Sequence, residues 1–386
     1  MQLKPFLLDA WLDQYEHDIE FNLAASTGPT WTVNDILALA DDETRHRFLN
    51  HNLVYSRPAG ADSLREAIAE MQSVPVESVQ IVTGASEALV ALMWLAAEPG
   101  ANVIIPLPGF TTFSALPESL GLETRFYRVR RENGFRIDPD EIKRLADSKT
   151  KLILVNSPHN PTGATIGDGE MEALHDFTAE RGIQLVSDEV YHPIYHGRQT
   201  KSAARLPHAT VIADLSKAFS IAGVRTGWMI EHDAQRRQQY WTARAYFSIC
   251  NTTTGEILSE IAIRKRDVVL GKTQEAATRN LKLLEALHGG PSRRTRLDSA
   301  ARRHDRVPLA GEWRERPPVL PGRHRAWNPA GSRRLLRCAL AFPPGLCRRR
   351  RPFFRGARPL RSICKELVDE DDHSMTGTSC DAINST

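Results

Sequence analysis

Short apolar runs alternate with helical stretches along the middle of the chain. In residues 62–72 the apolar side chains Leu64, Ile68 and Met71 recur at helical spacing. Seven later runs rich in β-formers predict strands at Val79–Thr83, Val103–Pro106, Thr124–Val129, Lys151–Asn156, Ile183–Asp188, Thr210–Asp214 and Gly227–Glu231. Helices are predicted between several of them, at Ser86–Ala97, Asp138–Ala146 and Gly169–Arg181. A helical pattern without proline then runs from Asp233 to about Leu287.

Strands that are apolar along their whole length predict a mostly parallel sheet covered by helices on both faces. We therefore expect an α/β fold whose ligand site lies at the carboxyl ends of the strands. The 386 residues suffice for a large α/β domain and a smaller one. We expect an N-terminal arm with part of the small domain over 1–45, the large domain with its long C-terminal helices over 46–287, and the small-domain region over 288–386.

Composition narrows the class of protein. No apolar run approaches the 18 or more residues of a membrane helix, and the first residues lack the pattern of a secretory signal. We expect a cytoplasmic protein that neither enters membranes nor binds nucleic acid. The five cysteines are odd in number and form no Cys-x-x-Cys pair, so neither a disulfide framework nor a metal site is expected.

A lysine follows the predicted strand Thr210–Asp214. It lies in the run Asp-Leu-Ser-Lys-Ala-Phe-Ser-Ile-Ala-Gly-Val-Arg-Thr-Gly that begins at Asp214. A lysine at a buried strand end is costly if unpaired, and an imine with an aldehyde cofactor would explain Lys217. Arg225, eight residues on, could bind a phosphate. Taken alone, Lys217 could equally form a salt bridge in a loop.

Two other motifs follow successive strands. An Asn-Pro-Thr-Gly turn begins at Asn160, and Ser-Asp-Glu-Val-Tyr spans 187–191. Asp188, partly buried at a strand end, would need a cation such as a protonated pyridinium nitrogen. Taken alone, the Asn-Pro-Thr-Gly motif could be an ordinary turn, and Asp188 could be a helix N-cap. All three motifs at successive strand ends favour a common site.

Together these motifs resemble the pyridoxal-phosphate (PLP)-dependent class I/II aminotransferases of fold type I. The likeness covers roughly Leu53 to Leu287. It implies that Lys217 forms the imine with PLP and moves the substrate proton, and that Asp188 keeps the pyridine nitrogen protonated. It further implies hydrogen bonds from Tyr191 and Asn160 to the cofactor's O3′ and a bidentate contact of Arg225 with its phosphate.

The resemblance also implies a wider cofactor set. Backbone N–H groups of Ala85 and Ser86, at a helix start, would bind the phosphate. Phe110 would stack on the ring, and Ser216 would complete the Ser-Lys pair. Tyr55 would reach the phosphate of a partner subunit, which implies a homodimer with shared sites.

Two positions depart from the family pattern. Asp214 stands where Ser or Thr is common, and a carboxylate there would repel a phosphate unless it hydrogen-bonds elsewhere. We therefore leave Asp214 out of the phosphate set. The segment 24–29 keeps only part of the family's substrate loop, and Gly28 is a candidate substrate contact together with Asn160.

The C-terminal region has an unusual composition. Residues 291–386 carry 21 Lys or Arg and 10 Asp or Glu, and residues 291–361 contain twenty arginines but no Lys, Ile, Tyr, Met or Gln. The family's arginine for the substrate α-carboxylate is not recognisable; the nearest string is Phe354-Arg355-Gly356. We hypothesise a shifted reading frame from about residues 288–290, which would leave the small α+β domain incomplete.

Three functions remain open. The first is an aminotransferase acting on an amino acid and a 2-oxo acid. The second is a PLP-dependent lyase or cyclase of the same fold, since the chain also resembles, faintly, the capreomycidine synthase branch. The third is a degenerate protein that binds PLP with little turnover.

Overall fold

The computed structural model describes Phe6, Asp13 and residues 26–197 and 199–287. Within these residues it contains seven strands: β1 Val79–Val82, β2 Asn102–Leu107, β3 Glu123–Arg128, β4 Thr150–Asn156, β5 Gln184–Asp188, β6 Ala209–Asp214 and β7 Gly227–Ile230. All seven predicted strands are confirmed, each to within one residue at both ends. In the central strands this accuracy follows from short apolar runs such as Leu152–Val155 and Val211–Ala213, which end at polar residues.

Ten α-helices lie within the same described residues. They are α1 Val33–Ala38, α2 Asp42–Leu49, α3 Asp62–Gln72, α4 Ala85–Ala96, α5 Thr111–Ser119, α6 Pro139–Leu145, α7 Asp168–Arg181, α8 Ala234–Arg244, α9 Thr253–Arg264 and α10 Arg266–Leu287. The helices predicted between the strands are confirmed as α4, α6 and α7, and residues 62–72 form α3 as predicted. None of the described helices is both long and apolar enough to cross a membrane.

The strands form one sheet in the order β1-β7-β6-β5-β4-β2-β3. The five strands from β6 to β3 run parallel, and β7 is antiparallel to both of its neighbours. The prediction of a mostly parallel sheet is therefore confirmed. Because β7 runs the other way, it begins at the edge of the sheet where β1 and β6 end.

Both faces of the sheet are buried. In β4, Ile153 and Val155 belong to a core cluster shared with α3, α7 and α9. The alternate residues Leu152 and Leu154 belong to a second cluster shared with α4, α5 and α8. Successive side chains of a strand point to opposite faces, so a strand buried on both sides must be apolar throughout.

The long helical stretch predicted from Asp233 is interrupted. It forms α8, α9 and α10, with residues 245–252 outside any helix. Ile249 has a φ of 64°, a left-handed conformation that a right-handed helix does not continue and that is strained for a β-branched residue.

The chain divides into two compact units. The described residues of the first are Phe6, Asp13 and those between 26 and 275, and those of the second are 276–287. The expected small domain and the frameshift hypothesis concern residues outside the described part, and the division into domains stays a prediction.

Candidate active site

Polar residues from several strands meet at the edge of the sheet where β4, β5 and β6 end, here called the carboxyl-end edge. Asn156 of β4 pairs with Asp188 of β5. Asp214 of β6 pairs with Gly227 of β7, which lies opposite Val82 of β1 on its other side. The turns that carry the predicted site residues therefore leave the sheet at one common edge, as the motif positions predict.

Lys217 is half-buried just beyond β6. Its Nζ donates to Ser26 Oγ at 2.9 Å and to the Ser26 carbonyl at 3.3 Å. Burial lowers the pKa of the Lys217 amine, the Asp214 carboxylate opposes that change, and the Arg225 guanidinium adds to it. A lysine whose neutral form is favoured by burial is a better nucleophile toward an aldehyde.

Asp188 is a buried carboxylate at the end of β5, with 3% of its surface exposed. Its Oδ1 accepts from Val190 N at 3.2 Å and from Asn156 Nδ2 at 3.3 Å. Its Oδ2 makes no hydrogen bond with any described residue. Burial raises the pKa of Asp188 to about 7, and the Asp214 and Glu189 carboxylates contribute to the rise. This environment favours a cationic hydrogen-bond donor at Oδ2.

Tyr191, like Lys217, lies close to Ser26. Burial raises the pKa of its phenol, and a hydrogen bond with Ser26 opposes the rise. The two segments are also joined through the backbone, where Ala218 N donates to Val190 O at 3.4 Å. Ser26 thus links the predicted lysine and the predicted tyrosine.

Asn160 begins the predicted turn after β4. Its backbone N–H donates to Asn156 Oδ1 at 2.7 Å. The turn closes where Gly163 N donates to His159 O at 2.7 Å, with Gly163 at a φ of 73° that suits glycine. The Asn160 side-chain amide makes no hydrogen bond with a described residue, so it is available to a ligand.

His159 ties this turn to the segment that carries Phe110. Its Nε2 lies 2.9 Å from the Pro108 carbonyl and its Nδ1 lies 2.7 Å from Thr162 Oγ1. A carbonyl only accepts, so Nε2 carries the proton and Nδ1 accepts from the threonine hydroxyl. Phe110 precedes α5 and packs edge-on against Phe113, with ring centroids 5.8 Å apart.

We expect His159 to lower the folding stability of the protein at acidic pH. Burial lowers the pKa of His159 to about 4, so the unfolded chain binds more protons between about pH 6.5 and 4. The contribution of His159 to the free energy of unfolding is complete above the unfolded-state pKa. It falls by about 3 kcal/mol as pH drops through this window. His159→Gln, which keeps a donor for the Pro108 carbonyl, should reduce that loss in urea unfolding at pH 7 and pH 5. An equal loss in both proteins would contradict the assignment.

The group we call the phosphate corner consists of residues 84–86, Asp214, Ser216 and Arg225. Helix α4 begins at Ala85, whose N–H donates to Asp214 Oδ2 at 3.2 Å, and Ser216 N donates to Asp214 Oδ1 at 2.8 Å. Gly84 has a φ of 72°, and a Cβ there would lie 2.8 Å from Arg225 Nη2. The Arg225 guanidinium and the start of α4 therefore both lie next to Gly84. A phosphate bound by both groups would require this proximity.

The remaining predicted residues lie elsewhere. Tyr55 is 81% exposed. Gly28 faces the Lys217 loop, since a Cβ at this position would lie 2.0 Å from Ser220 Oγ. Gly28 is thus a close-packing position between the N-terminal segment and that loop, and its contact with a substrate stays a prediction.

Sequence reasoning did not single out Ser26, Asn156 or His159. A local signal existed for the last two, because both are polar residues at the end of a buried strand or directly after it. Ser26 lies 191 positions from Lys217, and no local pattern links them.

A model of the family described as aminotransferase class I and II matches residues 21–290. The chain belongs to this family. Among aminotransferases, it is 33% identical over 189 residues to arginine–pyruvate transaminase AruH of Pseudomonas aeruginosa, covering 46% of this chain and 48% of that protein. It is 34% identical over 182 residues to the aspartate/prephenate aminotransferase of Thermus thermophilus, covering 45% and 47%. The chain spans about half the length of these relatives.

Solved aminotransferase structures share the fold. A PLP-dependent aminotransferase from Streptococcus suis matches with a TM-score of 0.70 at 24% identity, over 75% of this chain and 78% of that one. Aspartate aminotransferase from Thermus thermophilus with maleate matches with a TM-score of 0.66 at 25% identity, over 74% and 78%. The predicted family and the predicted fold are therefore confirmed.

Proposed function

We propose that this chain is a PLP-dependent aminotransferase in which Lys217 is the lysine that condenses with the cofactor. The observation that carries the proposal is the pairing of two unusual groups at the carboxyl-end edge. Lys217 has an amine whose pKa is lowered, and Asp188 has a buried carboxylate whose Oδ2 lacks a donor among the described residues. An aldehyde and a pyridinium nitrogen on one molecule would satisfy both.

The residues present fit PLP at three separate points. Lys217 offers the amine, Asp188 the buried acceptor, and the phosphate corner a guanidinium beside a helix start. When bound, PLP supplies an aldehyde and an electron-withdrawing ring that acidify the Cα–H of a bound amino acid. The class I and II family and the PLP-dependent structural relative support the same cofactor.

Each side chain then has a distinct task. Lys217 would hold the cofactor through its amine and would move the proton at the substrate Cα. Asp188 would hold the pyridinium nitrogen with its buried carboxylate. Tyr191 and Asn160 would donate hydrogen bonds to the cofactor's O3′, and Arg225 would hold the phosphate.

The substrates proposed are an amino acid and a 2-oxo acid. Relatives bear the names arginine–pyruvate transaminase and aspartate/prephenate aminotransferase, so arginine and aspartate are the first donors to test. The family's arginine for the substrate α-carboxylate is expected in the C-terminal region, and residues 288–386 lie outside the described part of the chain.

We also propose a homodimer. Three consecutive side chains, Leu53, Val54 and Tyr55, are largely exposed although two are aliphatic. A run of this kind favours a protein interface, and it contains the tyrosine expected to reach a partner's phosphate. The cytoplasmic location stays a prediction.

The test is a donor screen on the purified full chain loaded with PLP. Single amino acids, beginning with arginine and aspartate, are added while the visible absorption band and the 2-oxo acid product are followed. A donor that converts the band and yields its 2-oxo acid, with reversal by pyruvate, supports transamination. Released ammonia without a 2-oxo-acid requirement would instead indicate a lyase. A band that no donor converts would indicate a degenerate binder.

The frameshift hypothesis is tested in the same screen with a second chain, in which the residues after 288 are translated from an alternative reading frame.

A further inference from the structure

A carboxylate occupies the corner that should receive a phosphate. Asp214 ends β6 and is only 8% exposed. Both of its oxygens accept backbone hydrogen bonds, Oδ1 from Ser216 N at 2.8 Å and Oδ2 from Ala85 N at 3.2 Å. A carboxylate at this position repels a phosphate unless it hydrogen-bonds to other groups, and Asp214 makes two such bonds. One of its donors, however, is the Ala85 N–H that a phosphate would use.

Arg225 does not neutralise this carboxylate by a direct ion pair. Its Nη1 donates to the Ala222 carbonyl at 3.2 Å, and no described carboxylate lies within ion-pair distance of its guanidinium. A Cβ built on Gly84 would lie 2.8 Å from Arg225 Nη2 and 3.6 Å from Asp214 Oδ2. The two charges therefore flank the same glycine, and an anion bound there would contact both.

The other charged groups near Asp214 do not remove the conflict. The Lys217 amine interacts with Asp214, and the proposed function converts this amine into an imine. On β5, the Asp188 carboxylate adds negative charge. On α4, Glu87 accepts from Thr83 N and from Ser248 Oγ and so faces those partners. The corner thus combines one guanidinium with a carboxylate that competes for a helix N–H.

We propose that Asp214 makes binding of the cofactor phosphate depend on uptake of one proton, which Asp214 and the phosphate then share. This inference rests on the proposed function, because it concerns the phosphate of PLP. Above about pH 6 a phosphate monoester is largely a dianion. Binding takes one proton from solvent and places it between a carboxylate oxygen and a phosphate oxygen. No other bond forms or breaks in this step.

The sign of the pH dependence follows from the proton count. The complex holds one more proton than the separated partners, so phosphate-dependent affinity falls as pH rises. A single coupled proton changes the dissociation constant by about tenfold per pH unit. The effect is confined to ligands with a phosphate, since Lys217 and Asp188 act in the same way on a ligand without one.

The experiment compares PLP with 5′-deoxypyridoxal, which lacks the phosphate and cannot close to an internal hemiacetal as pyridoxal does, on the full chain. Dissociation constants of both are measured from pH 6.5 to 8.5 by tryptophan fluorescence and visible absorption. The ratio of 5′-deoxypyridoxal to PLP dissociation constants should fall by about tenfold per pH unit in the wild type. Both ligands present the same aldehyde and ring to Lys217 and Asp188, so the ratio isolates the phosphate.

Two variants isolate the carboxylate. Asp214→Ser introduces a residue common in the family, and Asp214→Asn keeps the shape without a titrating group. Both should flatten the ratio, and Asp214→Ser should bind PLP at least about tenfold more tightly relative to 5′-deoxypyridoxal at pH 8.5 than the wild type does. A wild-type ratio that is constant with pH would overturn the inference, even if neither variant folds. Absence of any PLP absorption band would instead count against the proposed function.

Discussion

Replacing Lys217 with alanine is expected to abolish covalent attachment of PLP to this chain. The Lys217 amine is half-buried, its pKa is lowered by burial, and it extends from the carboxyl-end edge. After borohydride reduction in the presence of PLP, the wild-type chain should carry one cofactor on the peptide containing residue 217, as read by mass spectrometry. The variant should carry none there. Conversion of amino donors should fall by about 10²- to 10⁴-fold or more, because the proton-transfer group is lost as well.

Lys272→Ala provides the matched control. Lys272 Nζ donates to the Thr30 carbonyl at 3.0 Å and lies over the Trp31 ring, so it also has defined partners near the N-terminal segment. Its loss should leave labelling of Lys217 unchanged. Wild-type labelling that is spread over several lysines, or carried mainly by a residue other than Lys217, would contradict the assignment.

The sheet was predictable because its strands are buried on both faces. The central parallel strands appear in the sequence as short apolar runs, whereas the edge strand β3 alternates with polar residues. The apolar runs differ clearly from the amphipathic helices between them. Helix α5 was not predicted, since Thr111–Ser119 is short, carries Pro117 inside it and has a weak apolar pattern. The break at 245–252 was missed for a related reason, because helical spacing alone does not reveal a residue such as Ile249 in a left-handed conformation.

The position of the candidate site was predictable where its side chains lie at the ends of strands or shortly after them. Asp188, Lys217 and Asn160 stand at such places, and sheet topology brings strand ends together. Contacts formed across long sequence separations were not predictable. Ser26 reaches Lys217 only because the N-terminal segment packs on its loop, with Gly28 against Ser220. Likewise, the hydrogen bond between Asp214 and Ala85 joins β6 to α4 across 129 positions.

Replacing Asp188 with asparagine should stabilise the cofactor-free protein at pH 8 while greatly slowing conversion of amino donors. Burial raises the folded-state pKa of Asp188 to about 7, well above its ordinary value of 3.8. The folded chain therefore binds more protons than the unfolded chain between these values, so stability falls as pH rises from about 4 to 7. The shift corresponds to on the order of 4 kcal/mol, which an uncharged asparagine would avoid. Urea unfolding at pH 5 and pH 8 measures this difference.

Cofactor binding should reverse the comparison. If the pyridinium N–H of PLP pairs with the Asp188 carboxylate, as proposed, PLP should raise the melting temperature of the wild type more than that of Asp188→Asn. Removing one partner of a buried charge pair costs about 3–5 kcal/mol, which corresponds to about 10²- to 10⁴-fold in the rate of donor conversion. Glu256→Gln is the matched control, because burial also raises the pKa of Glu256 while Ser56 supplies its hydrogen bond. That variant should affect stability alone. If Asp188→Asn converts donors at the wild-type rate, Asp188 does not hold the pyridinium, and its raised pKa reflects burial alone.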